Sequence, residues 1–354
     1  MTFEKPGSAA LSVRLAFGNA GEAEAPVAGI ASVAHAAHLA GRRGAREIWI
    51  DLRDGARLSE AALDDVRRAC PGILIRAGAS ERGGGLPSAT VHHPFPLAGR
   101  GEAIRWLLRS TGKEGDGYIS RRLNRPVSRA ISAFLLTRFP AIRPNHATAG
   151  TAAVALLMFA SLLFGGWPGL IAGGLLFHLA SVLDGVDGEI ARATYRSSPA
   201  GAVLDSAVDM ATNLLFYVGI TASLFRVYGR IQLEVGGWAV MAGLSGLVLL
   251  SWLVRQIGEP GNYDIIKRFY RARCAAGFPR FVVEMFVMIT SRDFFAFGSM
   301  LLILAGQPRM VTLGLALFAT LWLSLILLAL PSLLRNGSAA APAPLALDAG
   351  PSLP

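Results

Sequence analysis

Cysteine and charged residues are both scarce in this chain of 354 residues. Its two cysteines, Cys70 and Cys274, lie far apart and form no Cys-x-x-Cys pair, which argues against a disulfide framework and against a structural zinc site. Charged residues make up only 16% of the chain, whereas apolar residues make up 53%, and the mean hydropathy is +0.46. Such values are typical of an integral membrane protein and disfavour a soluble enzyme.

A signal peptide and a nucleic-acid site are also not expected. Residues 1–17 contain Glu4 and Lys5 and have no apolar core, so we expect no cleavable leader. The net charge of +10 arises largely from Lys and Arg beside apolar stretches. Cations in that position anchor membrane proteins to anionic cytoplasmic lipid. We therefore predict a lipid membrane as a partner and no nucleic acid.

Residues 1–116 have the pattern of an α/β domain. Short strand-like runs at 11–17, 47–52 and 72–76 alternate with helical patterns near 27–41 and 58–69, which predicts a parallel sheet. Residues 31–52 resemble the helix and core strand of sugar-phosphate nucleotidyltransferases. The glycine-rich nucleotide loop of those enzymes is missing, since Gly83-Gly84-Gly85 runs into Leu86 and Pro87. We therefore predict a degenerate nucleotidyltransferase-like domain.

Residues 117–140 are predicted to form a basic amphipathic juxtamembrane helix. Apolar residues recur there at helical spacing, at positions 119, 123, 127, 131, 134 and 135. Four arginines fall largely between them: Arg121, Arg122, Arg125 and Arg129. This pattern favours a helix at the cytoplasmic lipid surface. An ordinary linker helix is the alternative.

Residues 141–334 are predicted to form a polytopic membrane domain of about six transmembrane helices. The expected spans lie near 147–165, 169–192, 203–225, 236–256, 290–306 and 310–331. The longest loop, 257–289, is strongly basic, which places it, both termini and the acidic residues described next on the cytoplasmic side of a bacterial-type inner (plasma) membrane. The tail, 335–354, is rich in Ala and Pro and is expected to be disordered.

Four carboxylates stand inside this apolar sequence. Asp184 and Asp187 share one face of a helix, and Asp205 and Asp209 share one face of the next. Carboxylates at membrane depth are costly and repel one another, so they need a cation. Their hard oxygen ligands favour Mg²⁺, Mn²⁺ or Ca²⁺ over zinc.

Small residues and an arginine accompany the acids. Gly188, Ala191 and Gly201 would let a ligand approach, and Arg192 suits a phosphate oxygen. The pattern points to phosphoryl transfer assisted by two metal ions. Two alternatives stay open, a membrane cation transporter and a membrane-anchored scaffold, each using the acids to bind ions. Neither explains the spacing Asp-x2-Asp-Gly-x2-Ala-Arg-x8-Gly-x3-Asp-x3-Asp.

This spacing resembles the defining motif of the CDP-alcohol phosphotransferases and matches it at all eight positions. The resemblance implies six transmembrane helices, a homodimer and two bound ions of Mg²⁺ or Mn²⁺. It implies that Asp184, Asp187 and Asp205 hold the metals. Asp209 would contact the second metal and act as the general base that deprotonates an acceptor hydroxyl, which attacks a CDP-alcohol and releases CMP. The residues bordering the nucleotide would be Gly188, Ala191, Arg192 and Gly201.

A narrower resemblance concerns residues 116–129 and 143–148, which read DGYISRRLNRPVSR and RPNHAT. They are similar to di-myo-inositol phosphate phosphate synthases, which are often fused to an N-terminal cytidylyltransferase. The resemblance places Asn145 and Thr148 near the cytidine, although both could simply cap the first span. Arg292 could bind an acceptor phosphate or anchor its helix at the membrane surface. The donor could be CDP-diacylglycerol or a soluble CDP-alcohol such as CDP-inositol. Two further polar residues, His178 and Glu189, are expected to be packed or paired rather than ligands.

Overall fold

The N-terminal region is an α/β unit. The computed structural model describes residues 11–77, 100–112, 119–259, 263, 265–274, 277–289 and 291–337. The strands are β1 (Leu11–Phe17), β2 (Pro26–Val27), β3 (Ile30–Ala31), β4 (Ala45–Leu52) and β5 (Leu74–Ala77). The helices of this region are α1 (Ala20–Glu24), α2 (Ser32–Arg42) and α3 (Glu60–Ala69). Strands β1, β4 and β5 form a parallel sheet in that order, which confirms the α/β prediction.

The predicted helix at 27–41 begins later than expected, at Ser32. Its first residues instead form the antiparallel pair β2 and β3, which turns at Ala28 and Gly29. Both turn residues have positive φ, 54° and 74°, a conformation that ends any helix. The Gly83–Gly85 run falls outside the described residues.

Five long apolar helices identify an integral membrane protein. They are α6 (Pro144–Phe164), α7 (Gly166–Ala193), α8 (Pro199–Tyr228), α9 (Arg230–Gln256) and α13 (Arg309–Asn336). Residues 290–306, predicted as a sixth span, contain α12 (Arg292–Leu304), whose 13 residues fall short of the roughly 20 that cross a bilayer. The sixth span stays a prediction.

Glycines set the close packing of α6 against α7. The chain turns sharply between them at Gly166, whose φ is +57°. A β-carbon at Gly169 would lie 2.2 Å from the carbonyl oxygen of Ser161, and one at Gly173 would lie 2.4 Å from Leu162. Larger residues there would push apart the helices that carry Thr148 and the first half of the motif.

The basic loop predicted at 257–289 contains two helices, α10 (Ile265–Arg273) and α11 (Gly277–Ile289). Ile265, Ile266 and Phe269 of α10 are buried against the ends of α9 and α13. The loop therefore forms a cover over one end of the membrane helices. The predicted tail, 335–354, lies almost wholly outside the described residues.

The predicted juxtamembrane helix, 117–140, contains a π-helical turn (Ser120–Asn124) and α5 (Arg125–Arg138), and α4 (Arg100–Arg109) lies before it in the chain. Leu123, Val127 and Phe134 are exposed, in keeping with an apolar surface on this segment. The prediction was wrong for Arg125, which is buried against α7 rather than placed at the lipid surface. Its guanidinium forms an ion pair with Glu189, a partner that helical periodicity alone does not predict.

Candidate active site

A tight turn joins the two helices that carry the motif. Helix α7 ends at Ala193, and Tyr195 takes φ of +54° in the turn. The side chain of Ser198 then caps α8 by accepting a hydrogen bond from the Gly201 backbone N–H at 3.0 Å. The start of α8 therefore lies beside the end of α7, and their acids meet on one side of the membrane region.

Three of the four motif carboxylates converge. One oxygen each from Asp184, Asp205 and Asp209 lies within 4.8 Å of the other two. All three side chains are half-buried, so the cluster is reachable yet partly desolvated. An oxygen-only donor set of this kind could hold a divalent cation such as Mg²⁺ or Mn²⁺.

Asp187, the fourth carboxylate, is buried at the edge of this cluster. It accepts a hydrogen bond from the hydroxyl of Thr148 at 2.6 Å. Its carboxyl group also lies within hydrogen-bonding reach of Asp205. Helix α6 thus reaches the site through Thr148. Asn145, one turn earlier, lies close to Gly201, where a β-carbon would be 3.8 Å from the Asn145 Oδ1.

Arg292 lies between two of the acids. Its Nη1 is 3.1 Å from Asp184 Oδ1 and also donates a hydrogen bond to Asp209. The arginine side chain is 14% exposed, so it belongs to the site and is not a solvent-exposed membrane anchor. The start of α12 thereby supplies a cation to a cluster formed by α7 and α8.

Three motif residues, Gly188, Ala191 and Arg192, lie on the same part of α7. A β-carbon at Gly188 would lie 2.9 Å from Arg192 Nη1, so the glycine makes room for that guanidinium. Arg192 Nε donates to the carbonyl oxygen of Thr111, just after α4, at 2.9 Å. Ala191 is half-buried, and its carbonyl oxygen accepts from the Arg196 N–H at 2.9 Å.

Glu189 faces α5, on the side of α7 away from Asp184 and Asp187. It is fully buried and accepts from Arg125 Nη1 at 3.0 Å and from the hydroxyls of Ser128 and Ser132, each at 2.7 Å. As expected, Glu189 is a paired neighbour of the site. His178 is half-buried, with its ring 5.4 Å from that of Phe297, as expected for a packed residue.

Sequence reasoning missed the role of Asp293. Its Oδ1 accepts from Ser181 Oγ at 2.6 Å and from Asn124 Nδ2 at 3.0 Å. These bonds tie α12 to α7 and to the π-helical turn, and so fix the helix that presents Arg292. The adjacency of Asp293 to Arg292 was the available signal, but its partners are 112 and 169 residues away in the chain.

The N-terminal region packs directly against the motif helix. Val27 and Ala28 share one buried cluster with residues of α4 and α5 and with Val186, Ile190 and Ala193 of α7. His35 Nδ1 lies 2.8 Å from the hydroxyl of Tyr195, in the turn between the motif helices. Burial raises the pKa of the Cys70 thiol in this region to about 11, so it is not a nucleophile at neutral pH.

A family model described as CDP-alcohol phosphatidyltransferase matches residues 141–334. The chain belongs to this family. The match contains all eight motif positions, Asn145, Thr148 and Arg292. It confirms the family recognised from the motif, and with it the prediction of an enzyme of the CDP-alcohol phosphotransferase type.

Curated relatives that are similar to this chain carry the name bifunctional IPC transferase and DIPP synthase. The protein of Aquifex aeolicus is 38% identical over 152 residues, 43% of this chain and 32% of its own length. The protein of Thermococcus kodakarensis is 32% identical over 151 residues, 42% of this chain and 32% of its own. The protein of Rubrobacter xylanophilus is 42% identical over 134 residues, 36% and 27%. This member of the family thus spans 27–32% of the length of these relatives.

Proposed function

We propose that this chain transfers a substituted phosphate group from a CDP-alcohol to an acceptor hydroxyl and releases CMP. The donor is CDP-diacylglycerol or a soluble CDP-alcohol such as CDP-inositol. The product is accordingly a phospholipid or an inositol-type phosphodiester. The observation that carries the proposal is the convergence of Asp184, Asp205 and Asp209 within 4.8 Å, with Asp187 beside them.

Asp184, Asp187, Asp205 and Asp209 would hold two ions of Mg²⁺ or Mn²⁺. The fit rests on the donor set, which consists of carboxylate oxygens from two packed helices. When bound, such ions neutralise the mutual repulsion of the acids and polarise the donor's pyrophosphate. Thr148 holds Asp187 by its hydroxyl and so fixes the orientation of one ligand.

Asp209 is the proposed general base. It takes the proton from the acceptor hydroxyl, whose oxygen attacks the β-phosphorus of the CDP-alcohol. A new oxygen–phosphorus bond forms, the bond from that phosphorus to the bridging oxygen breaks, and CMP leaves with the bridging oxygen. A carboxylate placed at this position typically contributes about 10²–10⁴-fold to the rate.

The nucleotide and its phosphates would lie along Gly188, Ala191, Arg192 and Gly201, with Asn145 and Thr148 near the cytidine. Gly188 lets the Arg192 guanidinium lie close to the helix backbone, and this guanidinium is the proposed ligand of phosphate oxygens. Arg192 Nε donates a hydrogen bond to the Thr111 carbonyl oxygen, which orients the other nitrogens of the guanidinium.

Arg292 is the proposed acceptor-binding residue. In the structure it is paired with Asp184 and Asp209. A phosphate on the acceptor would compete for this arginine and so place its hydroxyl beside Asp209. An acceptor without phosphate would not need Arg292, so Arg292→Ala should raise KM selectively for phosphorylated acceptors.

We place the site and both termini in the cytoplasm of a bacterial-type inner membrane, with the chain as a homodimer. The side of the membrane region that carries the site also carries the cations of α10, such as Lys267, Arg268 and Arg271. Arg226, Arg230 and Arg309 mark the opposite ends of the long helices. The larger number of Lys and Arg residues on the site side supports a cytoplasmic orientation for that side.

The test is CMP release by the purified full chain in lipid nanodiscs, with Mg²⁺, candidate CDP-alcohols and several acceptors. Wild-type protein should release CMP, EDTA should abolish release, and Asp209→Asn should lower it by about 10²–10⁴-fold. Glu234→Gln is the matched control, because Glu234 is an exposed helix carboxylate paired with Arg230 away from the site. Equal release by Asp209→Asn and wild type would contradict the proposal.

Two other outcomes would favour the alternatives. A cation transporter would pass ions in proteoliposomes without nucleotide. A scaffold would show neither ion flux nor CMP release with any of the donors. Mass spectrometry of lipids and soluble phosphodiesters from cells fed labelled inositol or glycerol would then identify the product.

A further inference from the structure

The turn between α7 and α8 carries a tyrosine in a backbone conformation that favours glycine. Tyr195 has φ of +54°, where a β-carbon lies close to the following carbonyl oxygen. The N–H of Arg196 donates to the carbonyl oxygen of Ala191, five residues earlier, at 2.9 Å. This bond is typical of a Schellman motif, in which the left-handed residue after the helix is usually glycine. The backbone alone therefore does not account for a tyrosine at this position.

The side chain of Tyr195 packs against the core of the N-terminal region. Its ring centroid lies 5.3 Å from that of His35 and 4.6 Å from that of His38. Its hydroxyl lies 2.8 Å from His35 Nδ1. His35 is 1% exposed, and its other ring nitrogen lies 3.0 Å from the Val27 carbonyl oxygen. The tyrosine is thus held by a histidine that the N-terminal region itself fixes in place.

An unfavourable backbone conformation recurs at a second point of the same contact. Among the residues that the structure describes, the non-glycine residues with positive φ are Tyr195 and Ala28. Ala28 lies in the turn between β2 and β3 and is buried in one cluster with Ile190 of α7. At the adjacent Gly29, a β-carbon would lie 2.2 Å from the carbonyl oxygen of Pro140, before α6. Such conformations persist where the surrounding packing fixes them, and they cluster at functional sites.

The same turn connects two groups of proposed site residues. Arg192 lies three residues before Tyr195, and Ser198 lies three residues after it. The Ser198 side chain caps α8 at the N–H of Gly201, and Asp205 follows one helical turn later. A shift of the turn would therefore move the carboxylates of α8 relative to those of α7.

We propose that the N-terminal region positions the transferase site and that Tyr195 is the residue through which it acts. His35 and His38 hold the tyrosine ring, the ring fixes the left-handed turn, and the turn sets the separation of the acids on α7 and α8. Tyr195 acts through the turn and is therefore a positioning residue. The inference rests on the proposed function, because the acids it aligns are those of the proposed reaction.

Tyr195→Gly removes the anchor and keeps the turn. Glycine adopts the left-handed conformation readily, so the variant loses the side chain without straining the backbone. Ser197→Gly is the matched control, because Ser197 is exposed in the same turn and the variant gains backbone freedom with Tyr195 in place. Tyr195→Phe keeps the ring and loses only the hydroxyl, so it should restore most of what the glycine variant loses.

Mn²⁺ binding to the purified full chain in lipid nanodiscs, measured by electron paramagnetic resonance, reports how well the acids are aligned. Tyr195→Gly should weaken Mn²⁺ binding by about tenfold. It should also lower kcat for CMP release by roughly tenfold to a hundredfold. Ser197→Gly and Tyr195→Phe should stay close to wild type in both measurements. A lower melting temperature in Tyr195→Gly with wild-type Mn²⁺ affinity and kcat would show a merely structural role and overturn the inference.

His35→Leu tests the same contact from the N-terminal side. It removes the partner of the Tyr195 hydroxyl and should weaken Mn²⁺ binding although it lies outside the membrane domain. Val13→Ala is its control, because it loosens the buried core at β1 without changing either histidine that the ring contacts. If size-exclusion profiles show that Tyr195→Gly fails to fold, His35→Leu decides. Equal Mn²⁺ binding by His35→Leu and Val13→Ala would then overturn the inference.

The wild-type protein separates this inference from the proposed function. If wild type releases CMP and binds Mn²⁺, and Tyr195→Gly and His35→Leu do the same equally well, the positioning role is wrong and the transferase proposal stands. If wild type releases no CMP with any donor, the proposed function fails. Weaker Mn²⁺ binding by Tyr195→Gly than by Ser197→Gly would in that case still support the alignment of the acids by the N-terminal region.

Discussion

Helix α7 has carboxylates in two different environments, one on each of two sides. On one side, Glu189 is fully buried and receives hydrogen bonds from an arginine and two serines. On the other, Asp184 and Asp209 share Arg292 while Asp205 adds a third carboxylate within 4.8 Å. The first group is balanced by the protein, whereas the second gathers negative charge around a place where a ligand can bind.

This contrast distinguishes a structural acid from the acids that we propose to act in the reaction, without reference to the motif. A buried carboxylate that receives three donors contributes to packing between α5 and α7. Clustered, half-buried carboxylates repel one another, so a bound cation or substrate would stabilise them. Removing charge from each side should therefore have different consequences.

The largest effect should come from the functional side. Asp209→Asn keeps the shape of the side chain but cannot accept a proton, so we expect kcat to fall by about 10²–10⁴-fold. The melting temperature should change little, because the substitution reduces like-charge repulsion but also removes one of the two carboxylates paired with Arg292. Steady-state CMP release and a thermal melt check both parts. A fall in melting temperature with kcat unchanged would reverse the assignment of the two sides.

The structural side should affect stability instead. Glu189→Leu leaves the Arg125 guanidinium buried without its carboxylate, which typically costs about 3–5 kcal/mol. The double variant Arg125→Met, Glu189→Leu should recover much of that loss, because both charges are gone. Thermal or denaturant unfolding in one detergent compares the three proteins. If the double variant is as unstable as the single one, the pair is not the source of the effect.

Helical periodicity predicted the acid cluster on one side of α7 but not the ion pair of Glu189 on the other. Helical spacing places Asp184 with Asp187 and Asp205 with Asp209, so the acid cluster follows once α7 and α8 are adjacent. The partner of Glu189 could not be read in this way. Arg125 belongs to a run of arginines that looks suited to lipid, and only the packing of α5 against α7 distinguishes it from Arg121 and Arg122.

Contacts between residues far apart in the chain limited what else could be predicted from the sequence. The parallel sheet and the five long helices have local signals in hydrophobic pattern. No local signal predicts the cover formed by α10 and α11. No local signal predicts the contact of His35 with Tyr195 either, which is 160 residues away. Residue types alone suggested acceptor binding or anchoring for Arg292, and its pairing with two acids depends on how α12 docks.

A smaller effect should follow at the contact between the N-terminal region and the motif turn. Tyr195→Phe removes the hydroxyl that lies 2.8 Å from His35 Nδ1, at a cost of about 1 kcal/mol. Hydrogen exchange should speed up in α2 and in the turn after α7. Tyr228→Phe is the control, because its ring packs under Arg309 at the far end of α8 and is retained. Equal exchange in all three proteins would show that this hydrogen bond does not hold the two regions together.

The smallest effect should be a pH dependence at His38. Burial, with a contribution from Arg42, lowers the pKa of His38 below its ordinary value, although the Ala69 carbonyl opposes the shift. The unfolded region therefore binds a proton more readily than the folded one once the pH falls below about 6.5. Stability of the N-terminal region should be fully present above that pH and decline below it.

His38→Gln should flatten this dependence. Hydrogen exchange between pH 5.5 and 8 measures the unfolding of the N-terminal region in the variant and in wild type. A wild-type region that gains stability on acidification would contradict the direction of the shift.

The most direct test of the central claim is Mn²⁺ binding to the purified full chain, measured by electron paramagnetic resonance. Wild-type protein and Glu234→Gln should bind Mn²⁺ and release it to excess Mg²⁺, whereas Asp205→Asn should bind much less. Undiminished binding by Asp205→Asn, or no binding by wild type with a CDP-alcohol present, would contradict a metal site built from the acids of α7 and α8.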